Sequence, residues 1–279
     1  MTSFALAIAT KGDWDPDKLL EALGAAGVGP PTEVHVACDP GHAPATSLRG
    51  FTIHVREGAS LFDLWGLAID ASNADWVAIL HADALPVPGW FAAMKGAIER
   101  EGWKDGYWGP VEPAFEGSDD RSIGYLTEYV QFHRPIDPKT KEVPGSNLVL
   151  PRSRIRRGAG FSKTRLLDEG LAPKFIGEAV VQYSRPFDFR DYCERRYRHG
   201  RSYAAKRTPR RSRLVTVPMS FVLPFVRTAR IVRQSWRHRH LRRAMLRWIP
   251  VILLAETFWS AGELAGYVTG RSGNVSEID

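Results

Sequence analysis

Residues 76–91 read WVAILHADALPVPGWF, and this stretch decides how the rest of the chain is interpreted. Its first five residues are apolar without a break, which is typical of a strand buried on both faces of a parallel sheet. His81 and Asp83 follow that strand, and a turn containing Pro88 and Gly89 leads into an aromatic helix start. Because ligands of open α/β sheets bind beyond the carboxyl ends of the strands, His81 and Asp83 are candidate site residues.

Alternating strand and helix patterns surround this stretch. The predicted elements are strands at residues 4–10, 33–38, 51–55 and 76–80 and helices at residues 15–26 and 60–71. This alternation predicts an α/β fold with a mainly parallel sheet flanked by helices. Thr10 and Asp39 end the first strand and follow the second, so we expect both at the same edge of the sheet as Asp83. The sequence contains no GxGxxG and no GxxxxGK[ST], so Rossmann dinucleotide and P-loop sites lose their main support.

The composition is that of a folded protein from a reducing compartment. The 279 residues are 44% hydrophobic and 25% charged, which excludes wholesale disorder. Cys38 and Cys193 are too few for a disulfide framework or a Cys-rich zinc site, so we expect two unpaired, buried thiols. The first apolar run is one strand long and has no basic residues before it, which argues against a cleaved secretory signal. No uninterrupted apolar run is long enough to span a bilayer, so we expect a cytoplasmic protein without an ordinary membrane-spanning helix.

Asp83 has two interpretations from its position alone. A carboxylate at the end of a buried strand suits a metal–diphosphate site, because Mg²⁺ and Mn²⁺ take oxygen ligands and neutralise phosphate charge. The other interpretation is that Asp83 only caps a turn or the helix that starts near Pro88. Spacing alone leaves both open.

Residues 80–90, LHADALPVPGW, resemble the strand-end motif of the family 2 glycosyltransferases, which are inverting GT-A enzymes that use nucleotide-sugar donors. In that family the motif is Asp-x-Asp, or a relaxed version with one acid, followed by a turn similar to Pro-x-x-Trp. This chain keeps the second acid as Asp83 and has His81 in place of the first. The literal Asp13-Trp14-Asp15 follows the first strand, where the family has no metal site. The resemblance implies a divalent metal, Mg²⁺ or Mn²⁺, held by Asp83 with His81.

Further segments extend the resemblance over most of the chain. Residues 142–152 resemble the acceptor-side segment of the family. Residues 179–207 and 259–270 resemble two segments of exopolysaccharide and lipid-linked sugar transferases: a helix ending in Tyr-x-x-Gly-Arg and a closing W…GE…GY…G pattern. The implied donor-binding residues are Thr10, Asp39, His81 and Asp83, and the implied acceptor-side residues are Gly145, Ser146 and Asn147.

One departure from the family concerns the general base. Family members carry an acidic pair after the acceptor-side segment, and the acid there is implied to deprotonate the acceptor hydroxyl. Here Ser162-Lys163 take that position, and Asp168 and Glu169 come nearly two helical turns later. The first alternative is that Asp168 or Glu169 is the catalytic base after local rearrangement. The second is that the base comes from elsewhere, with Glu128 and His133 as candidates. The third alternative is a protein that binds donors without efficient transfer.

The C-terminal third is strongly basic. Residues 185–247 hold 19 of the 38 Lys and Arg residues and 3 of the 31 acidic residues, which suggests a polyanionic partner. The following residues have helical spacing and predict one basic stripe: Arg230, Arg233, Arg237, His240, Arg243 and Arg247. Apolar, Trp-bearing segments flank the stripe, which favours docking on an anionic membrane surface. Packing of this region on the catalytic domain is the alternative. We expect no nucleic acid, because no nucleic-acid-binding motif accompanies the charge.

Residues 248–267 are apolar but contain Glu256 and Glu263, and two carboxylates are costly inside hydrocarbon. We therefore expect this segment to lie outside the bilayer core. Gly262, Gly266 and Gly270 are spaced four residues apart, which predicts a close approach by another helix.

Together the residues and the resemblance predict a GT-A-like glycosyltransferase domain over residues 1–183 and a helical region over residues 184–279 that associates with the membrane surface. The expected enzyme is of the hexosyltransferase type and transfers a sugar from a nucleoside-diphosphate sugar to a polysaccharide or lipid-linked acceptor, in cell-surface polysaccharide or glycolipid assembly. We expect it on the cytoplasmic face of the membrane. The alternative is a non-catalytic nucleotide-sugar-binding or scaffold protein of the same pathway, because the acidic base motif is not found.

Overall fold

A computed structural model describes residues 2–12, 14–44, 50–115, 119–158, 160–207 and 213–269 of the chain. Within that description, the side chains of residues 205–207 and 213–216 are not included. Asp13, of the Asp13-Trp14-Asp15 segment, and Gly270, of the predicted glycine series, lie outside the described residues.

The elements alternate through the first half of the chain and become helical in its last third. The strands are β1 (Phe4–Ala9), β2 (Glu33–Cys38), β3 (Thr52–Val55), β4 (Trp76–His81), β5 (Ala84–Pro86), β6 (Tyr107–Trp108), β7 (Val111–Pro113), β8 (Asn147–Pro151), β9 (Lys174–Phe175) and β10 (Val181–Tyr183). The helices are α1 (Pro16–Ala25), α2 (Leu61–Ala71), α3 (Trp90–Glu101), α4 (Arg121–Glu128), α5 (Lys163–Asp168), α6 (Phe189–Arg207), α7 (Arg213–Ser235) and α8 (Arg242–Thr269). The four strands and two helices that the sequence predicts are confirmed to within a residue or two at each end.

The main sheet has seven strands in the order β3-β2-β1-β4-β8-β6-β9. β8 runs antiparallel to both of its neighbours, and the other pairs are parallel. A second sheet has the order β5-β10-β7. β1 and β4 are buried along their whole length, as expected for strands covered on both faces. The predicted α/β class is therefore confirmed, with its mainly parallel sheet, flanking helices and C-terminal helices.

Local sequence sets where the first helices begin. The carboxylate of Asp15 accepts hydrogen bonds from the backbone N–H groups of Asp17 and Lys18, so Asp15 is the N-cap of α1. Ser60 and Asp63 form a reciprocal capping box at the start of α2. The N-cap of α3 is Gly89 at φ +87°, a left-handed conformation that suits glycine. Asp83 therefore does not cap α3, and that part of the alternative interpretation is wrong.

The chain divides into two compact units. The first contains residues 1–114 and 132–184, and the second contains residues 115–131 and 185–279. The predicted division lies between residues 183 and 184, one junction between the units lies between residues 184 and 185, and α4 groups with the C-terminal helices. Both sheets belong to the first unit, and α4, α6, α7 and α8 belong to the second. The functions predicted for the two regions remain predictions.

In the second unit, α6 and α8 approach each other at glycines. A Cβ atom placed on Gly262 would lie 2.0 Å from the Tyr197 carbonyl oxygen, and one on Gly266 would lie 2.4 Å from the Arg201 carbonyl oxygen. Gly200 of α6 meets the Trp259 carbonyl in the same way. The predicted close approach is confirmed for Gly262 and Gly266, because any side chain there would separate the two helices.

The expected basic stripe is not continuous. α7 ends at Ser235, the backbone of His238 is extended at φ −108° and ψ 102°, and α8 begins at Arg242. The predicted single stripe is therefore wrong, because Arg230 and Arg233 lie on α7, Arg237 and His240 in the connection, and Arg243 and Arg247 on α8. Pro218 and Pro224 do not end α7 either, since packing along α8 outweighs the backbone hydrogen bonds that the prolines remove.

One helical stretch among the described residues, Arg239–Thr269, is long and apolar enough to cross a membrane by length and composition alone. A third (33%) of its most apolar window is buried. Core helices of soluble proteins meet the same criterion, so the expectation that no segment spans a membrane remains a prediction. Glu256 and Glu263 interrupt the apolar run of this helix. Both carboxylates are buried and paired with arginines of α6 and α7.

Candidate functional site

The carboxyl ends of β1, β2 and β4 meet at one edge of the main sheet. Ala9 is in register with Ala37 of β2 and with His81 of β4. The Thr10 N–H donates to the Ala37 carbonyl over 3.0 Å, and the Ala82 N–H donates to the Ala9 carbonyl over 3.1 Å. The structure therefore brings Thr10 and the segment containing Asp83 to the same edge, as the sequence predicts.

Asp39 leaves this edge at the end of β2. It is half-buried, and its carbonyl accepts a hydrogen bond from the His42 N–H over 3.0 Å in a short helical turn. Burial raises the pKa of the preceding Cys38 thiol, and the Asp39 carboxylate adds to the rise. Cys38 and Cys193 are both buried and free, as expected. Asp39 thus directly follows β2 at this edge, and its role in donor binding remains a prediction.

His81 and Asp83 form a buried pair. The Nδ1 atom of His81 lies 3.2 Å from the Asp83 carboxylate oxygen Oδ2 and 3.2 Å from the Asp83 backbone nitrogen. The Asp83 carbonyl accepts hydrogen bonds from the Ser184 N–H and hydroxyl over 2.9 and 3.3 Å. The backbone around Asp83 is therefore held on both sides, and its carboxylate is fixed beside the imidazole.

The metal implied by the family resemblance was tested against these donors. Among the described residues, no cluster of three or more His, Cys, Asp or Glu side chains could hold a metal ion. Asp83 and His81 supply one carboxylate and one imidazole. A single carboxylate fits Mg²⁺ or Mn²⁺ when substrate phosphates and water complete the oxygen ligands. The donor set therefore fits a metal that arrives with a diphosphate, rather than a resident metal caged by the protein.

Trp65 of α2 connects the strand end to the acceptor-side segment. Its Nε1 donates to the Leu80 carbonyl over 2.7 Å, and its ring meets the His81 ring edge-on with centroids 6.5 Å apart. It also meets Phe161 edge-on at 5.9 Å. A Cβ on Gly145 would lie 3.7 Å from the Cη2 atom of Trp65. The helical spacing predicts Trp65 as a core residue, and nothing in the sequence separates it from the leucines of the same face.

Ser146 and Gly145 lie just before β8, whose start is level with the end of β4. Leu80 is in register with Asn147. The Ser146 side chain is buried, and its hydroxyl has no hydrogen-bond partner among the described residues. A Cβ placed on Gly145 would also lie 3.6 Å from the Cδ atom of Lys163. The acceptor-side residues predicted from the sequence thus lie beside the end of β4.

The amide of Asn147 is used entirely within the protein. Its Oδ1 accepts from the Trp90 Nε1 over 2.9 Å, and its Nδ2 donates to the carbonyls of Pro110 and Ala179 over 2.9 and 2.8 Å. A Cβ on Gly109 would lie 1.9 Å from the Ala179 carbonyl oxygen, so only glycine allows the chain to pass here. Asn147 therefore ties four segments together at the edge of the site.

The predicted catalytic acids Asp168 and Glu169 share no described contact with the residues at the end of β4. Both are exposed at the C-terminal end of α5, and Glu169 pairs with Arg156 over 3.4 Å. None of the contacts described for either residue involves His81 or Asp83. Their role as base remains a prediction. Of the other candidates, His133 is buried in the first unit and Glu128 belongs to α4 in the second.

Lys163 occupies the position where the family carries an acid. Its Nζ donates to the Val143 carbonyl over 2.6 Å and lies 5.7 Å from the centre of the Phe132 ring. Burial lowers the pKa of the Lys163 amine, and the charge of Glu142 opposes this effect. The start of α5 is capped by the Ser162 hydroxyl, which accepts from the Arg165 N–H. The sequence shows Lys163 only as a departure from the family pattern, and its position close to Gly145 is visible only in the structure.

Comparison with known proteins gives fold-level likenesses alone. No protein-family model matches the sequence, and no curated protein matches it. Among solved structures, the chain is similar to GalNAc-T7 with UDP, GalNAc and Mn²⁺, at a TM-score of 0.46 and 8% identity over 67% of this chain and 44% of that one. The chain thus spans less than half the length of that neighbour.

Two further structures are similar to this chain. Glucosyl-3-phosphoglycerate synthase from Mycobacterium tuberculosis, in complex with Mn²⁺, UDP-glucose and phosphoglyceric acid, gives a TM-score of 0.43 and 11% identity over 68% of this chain and 74% of that one. A mycobacterial protein gives a TM-score of 0.42 and 12% identity over 67% of this chain and 69% of that one. At these scores the likenesses carry no functional conclusion.

Proposed function

We propose that this chain is a GT-A glycosyltransferase of the family 2 type that uses a nucleoside-diphosphate sugar and a divalent metal. The observation that carries the proposal is the edge where β1, β2 and β4 end. It brings Thr10 beside the buried pair of His81 and Asp83 and places Asp39 at the end of the adjacent strand. Sheet edges of this kind bind ligands at the carboxyl ends of the strands.

Each residue has a distinct part in the proposed reaction. Asp39 contacts the nucleoside, and Asp83 with His81 would hold the metal and, through it, the diphosphate. A divalent metal bound there would offset the negative charge of the nucleoside diphosphate as leaving group. Gly145 and Ser146 line the acceptor side, where the acceptor hydroxyl attacks the anomeric carbon from the face opposite the diphosphate and inverts the configuration. The burial of His81 and Asp83 strengthens the electrostatic contacts of their side chains.

The proposed substrate is a hexose donor, and the proposed acceptor is a polysaccharide or lipid-linked sugar of cell-surface assembly. The family resemblance of residues 142–152, 179–207 and 259–270 supports this finer assignment. A second candidate is a non-catalytic nucleotide-sugar-binding or scaffold protein of the same pathway. The start of α5 favours it, since Ser162 and Lys163 stand where the family carries acids.

The first test is thermal unfolding with UDP, GDP, dTDP or CDP, each with and without Mn²⁺. A nucleotide at about 100 times its Kd adds roughly 2.7 kcal/mol to the unfolding free energy. At about 2–4 °C per kcal/mol, the midpoint rises by several degrees. We expect one nucleotide to give a Mn²⁺-dependent rise, and Asp83→Asn to abolish it without changing the unliganded midpoint.

Release of the free nucleoside diphosphate from the matching sugar donor, with acceptor-containing membranes, separates the two candidates. Turnover that Asp83→Asn abolishes supports the enzyme. A metal-dependent shift without turnover supports the donor-binding protein. A folded Asp83→Asn protein with normal activity would refute the site assignment, and the absence of any nucleotide-induced shift would refute both candidates.

We also propose that the second unit docks on an anionic membrane surface, on the cytoplasmic face. α7 exposes a band of apolar side chains, and Phe221 and Phe225 are 66% and 64% exposed. The other members of the band are Met219, Val222 and Val226. Exposed apolar area of this kind on a folded protein marks an interaction surface.

Cationic and aromatic side chains lie where α7 turns into α8. Trp236 is 44% exposed, and the Arg242 guanidinium lies 5.5 Å from the centre of its ring. Arg247 lies 5.0 Å from the Trp248 ring in the same way. Tryptophan and arginine suit the headgroup region, where the rings meet the lipid and the guanidinium groups meet phosphate.

A further inference from the structure

An open pocket of about 860 Å³ is lined by the last residues of β6 and β9. Trp108 and Phe175 form one wall, with ring centroids 4.7 Å apart and planes tilted by 52°. Phe175 is 42% exposed, so its ring is available to a ligand. Pro135, Pro138 and Pro173 line other parts of the pocket with C–H groups. The pocket therefore offers a rigid aromatic and aliphatic lining.

Charged groups in the same pocket are held in fixed orientations. The Arg134 Nε donates to the Glu112 Oε1 over 2.6 Å, and its Nη1 donates to the Gly177 carbonyl over 3.1 Å. This hydrogen bond with Glu112 raises the pKa of Arg134. Asp137 also lines the pocket, and its Oδ1 accepts from the Lys139 N–H over 3.0 Å. The pocket thus combines carboxylates and a guanidinium with an aromatic wall.

The pocket lies at the same edge of the main sheet as the donor site. β6 runs parallel to β4, because β8 is antiparallel to both, and β9 runs parallel to β6. The residue after β6, Gly109, donates its N–H to the Asn147 carbonyl over 3.2 Å. The pocket is therefore reached from the end of β6, which lies directly beside the acceptor-side segment.

The lining matches one ligand class in particular. A pyranose ring has apolar C–H faces that pack against an aromatic ring and a rim of hydroxyls that hydrogen-bond to charged side chains. Small-ligand sites have this combination of apolar walls and few polar groups. A fixed ion pair suits a neutral ligand with many hydroxyls, since the carboxylates accept hydrogen bonds from the hydroxyls and the guanidinium donates hydrogen bonds to them.

We propose that this pocket binds a pyranose ring of the acceptor, with one sugar face on Phe175 and hydroxyls on Glu112, Arg134 and Asp137. This inference rests on the proposed glycosyltransferase function. It assigns the acceptor as a saccharide chain with at least one residue held beyond β6 and β9.

The test uses the whole chain on an array of glycans that carry terminal glucose, galactose, mannose, N-acetylhexosamine and uronic acid. We expect the wild-type protein to bind one group of glycans. Phe175→Ala should weaken that binding about tenfold, because the variant lacks the aromatic ring and its contact area with the sugar. Phe175 is exposed, so the variant retains its fold. Phe189→Ala is the matched control, since Phe189 is 39% exposed in the second unit, and it should leave glycan binding unchanged.

Binding of UDP, GDP, dTDP and CDP with Mn²⁺ is measured on the same variants. Equal glycan binding by wild type and Phe175→Ala, or no glycan binding by the wild type, overturns the inference. So does a Phe175→Ala variant that loses nucleotide and not glycan, since the ring would then stack on a nucleobase. Glycan binding that depends on Phe175, in a protein that binds no nucleotide, would leave the pocket standing and refute the proposed function.

Discussion

The indole of Trp259 lies between two guanidinium groups, with the Cζ atoms of Arg196 and Arg227 each 4.4 Å from the ring centre. Its Nε1 donates to the Glu263 carboxylate over 2.8 Å. Arg227 also donates to Glu263 over 3.1 Å, and Arg196 pairs with Glu256. Two carboxylates and the Arg196 guanidinium are thus buried around one aromatic ring, together with the half-buried Arg227. Such a network stabilises the fold only while all its members are present.

We expect Glu256→Gln to lower the unfolding free energy by about 3–5 kcal/mol, because Arg196 then remains buried without its charge partner. Urea denaturation measures the change. Glu194 pairs with Arg190 on the exposed face of α6 over 3.4 Å, and Glu194→Gln is the matched control with an effect near zero.

The double variant Glu256→Gln with Arg196→Met sharpens this prediction. Removing both partners leaves Arg227 paired with Glu263. The double variant should therefore lose less unfolding free energy than the two single variants lose in total. Strict additivity of the two single effects would show that Arg196 and Glu256 do not interact energetically.

At the scale of elements, the contact between α6 and α8 depends on backbone touching backbone. Glycine is a poor helix former, so Gly262→Ala alone would raise the stability of an isolated helix by about 0.8–1 kcal/mol. The Cβ contact of 2.0 Å with the Tyr197 carbonyl opposes this, because the two helices must move apart. Steric overlap therefore outweighs helix propensity at this position.

We expect Gly262→Ala to destabilise the protein by about 1–3 kcal/mol, as overpacking of a tight contact does. Gly24 of α1 is the matched control, since a Cβ there would meet nothing within 4 Å. Gly24→Ala should stabilise by up to about 1 kcal/mol. Chemical denaturation of both variants gives the comparison, and a stabilising Gly262→Ala would contradict the described contact.

Elements with a strong local signal could be predicted from the sequence. β4 is a continuous apolar run, and α2 has both helical spacing and the Ser60 cap, so their positions were expected. The position of Asp83 at the edge where the strands end could be predicted from these elements. β8 was not identified as a strand, because its antiparallel insertion beside β4 is a long-range pairing that no local pattern encodes.

The candidate site shows the same limit. The pairing of Asn147 with Trp90 joins residues 57 positions apart, and the pair of Arg196 and Glu256 joins residues 60 apart. Composition suggests that Glu256 is costly in an apolar helix, but only the tertiary structure supplies its partner. Sequence reasoning therefore finds side chains at strand ends and misses the groups that hold them.

At the scale of the whole molecule, the charge and the exposed apolar side chains of the second unit predict association with lipid. We expect the protein to float with vesicles that contain phosphatidylglycerol at low salt, and to dissociate as salt screens the arginines. Phe221→Ser with Phe225→Ser should reduce binding at least about tenfold, because each ring contributes buried apolar area.

Leu20→Ser with Val55→Ser is the matched control for vesicle binding. Both side chains are exposed, at 41% and 49%, and both belong to the first unit. This control should bind vesicles as the wild type does. Equal flotation of the Phe221 and Phe225 double variant, or no flotation of the wild type, would remove the proposal of membrane docking.

The path of the chain through its two units has a consequence for how such a protein could be assembled by evolution. Because residues 115–131 belong to the second unit, the chain passes between the units three times rather than once. A single genetic crossover after residue 184 would exchange α6, α7 and α8 but leave α4 behind. α4 supplies Thr127, whose hydroxyl contacts the buried Tyr192 hydroxyl of α6. The helical unit can therefore be inherited intact only together with residues 132–184, which carry β8, β9 and β10.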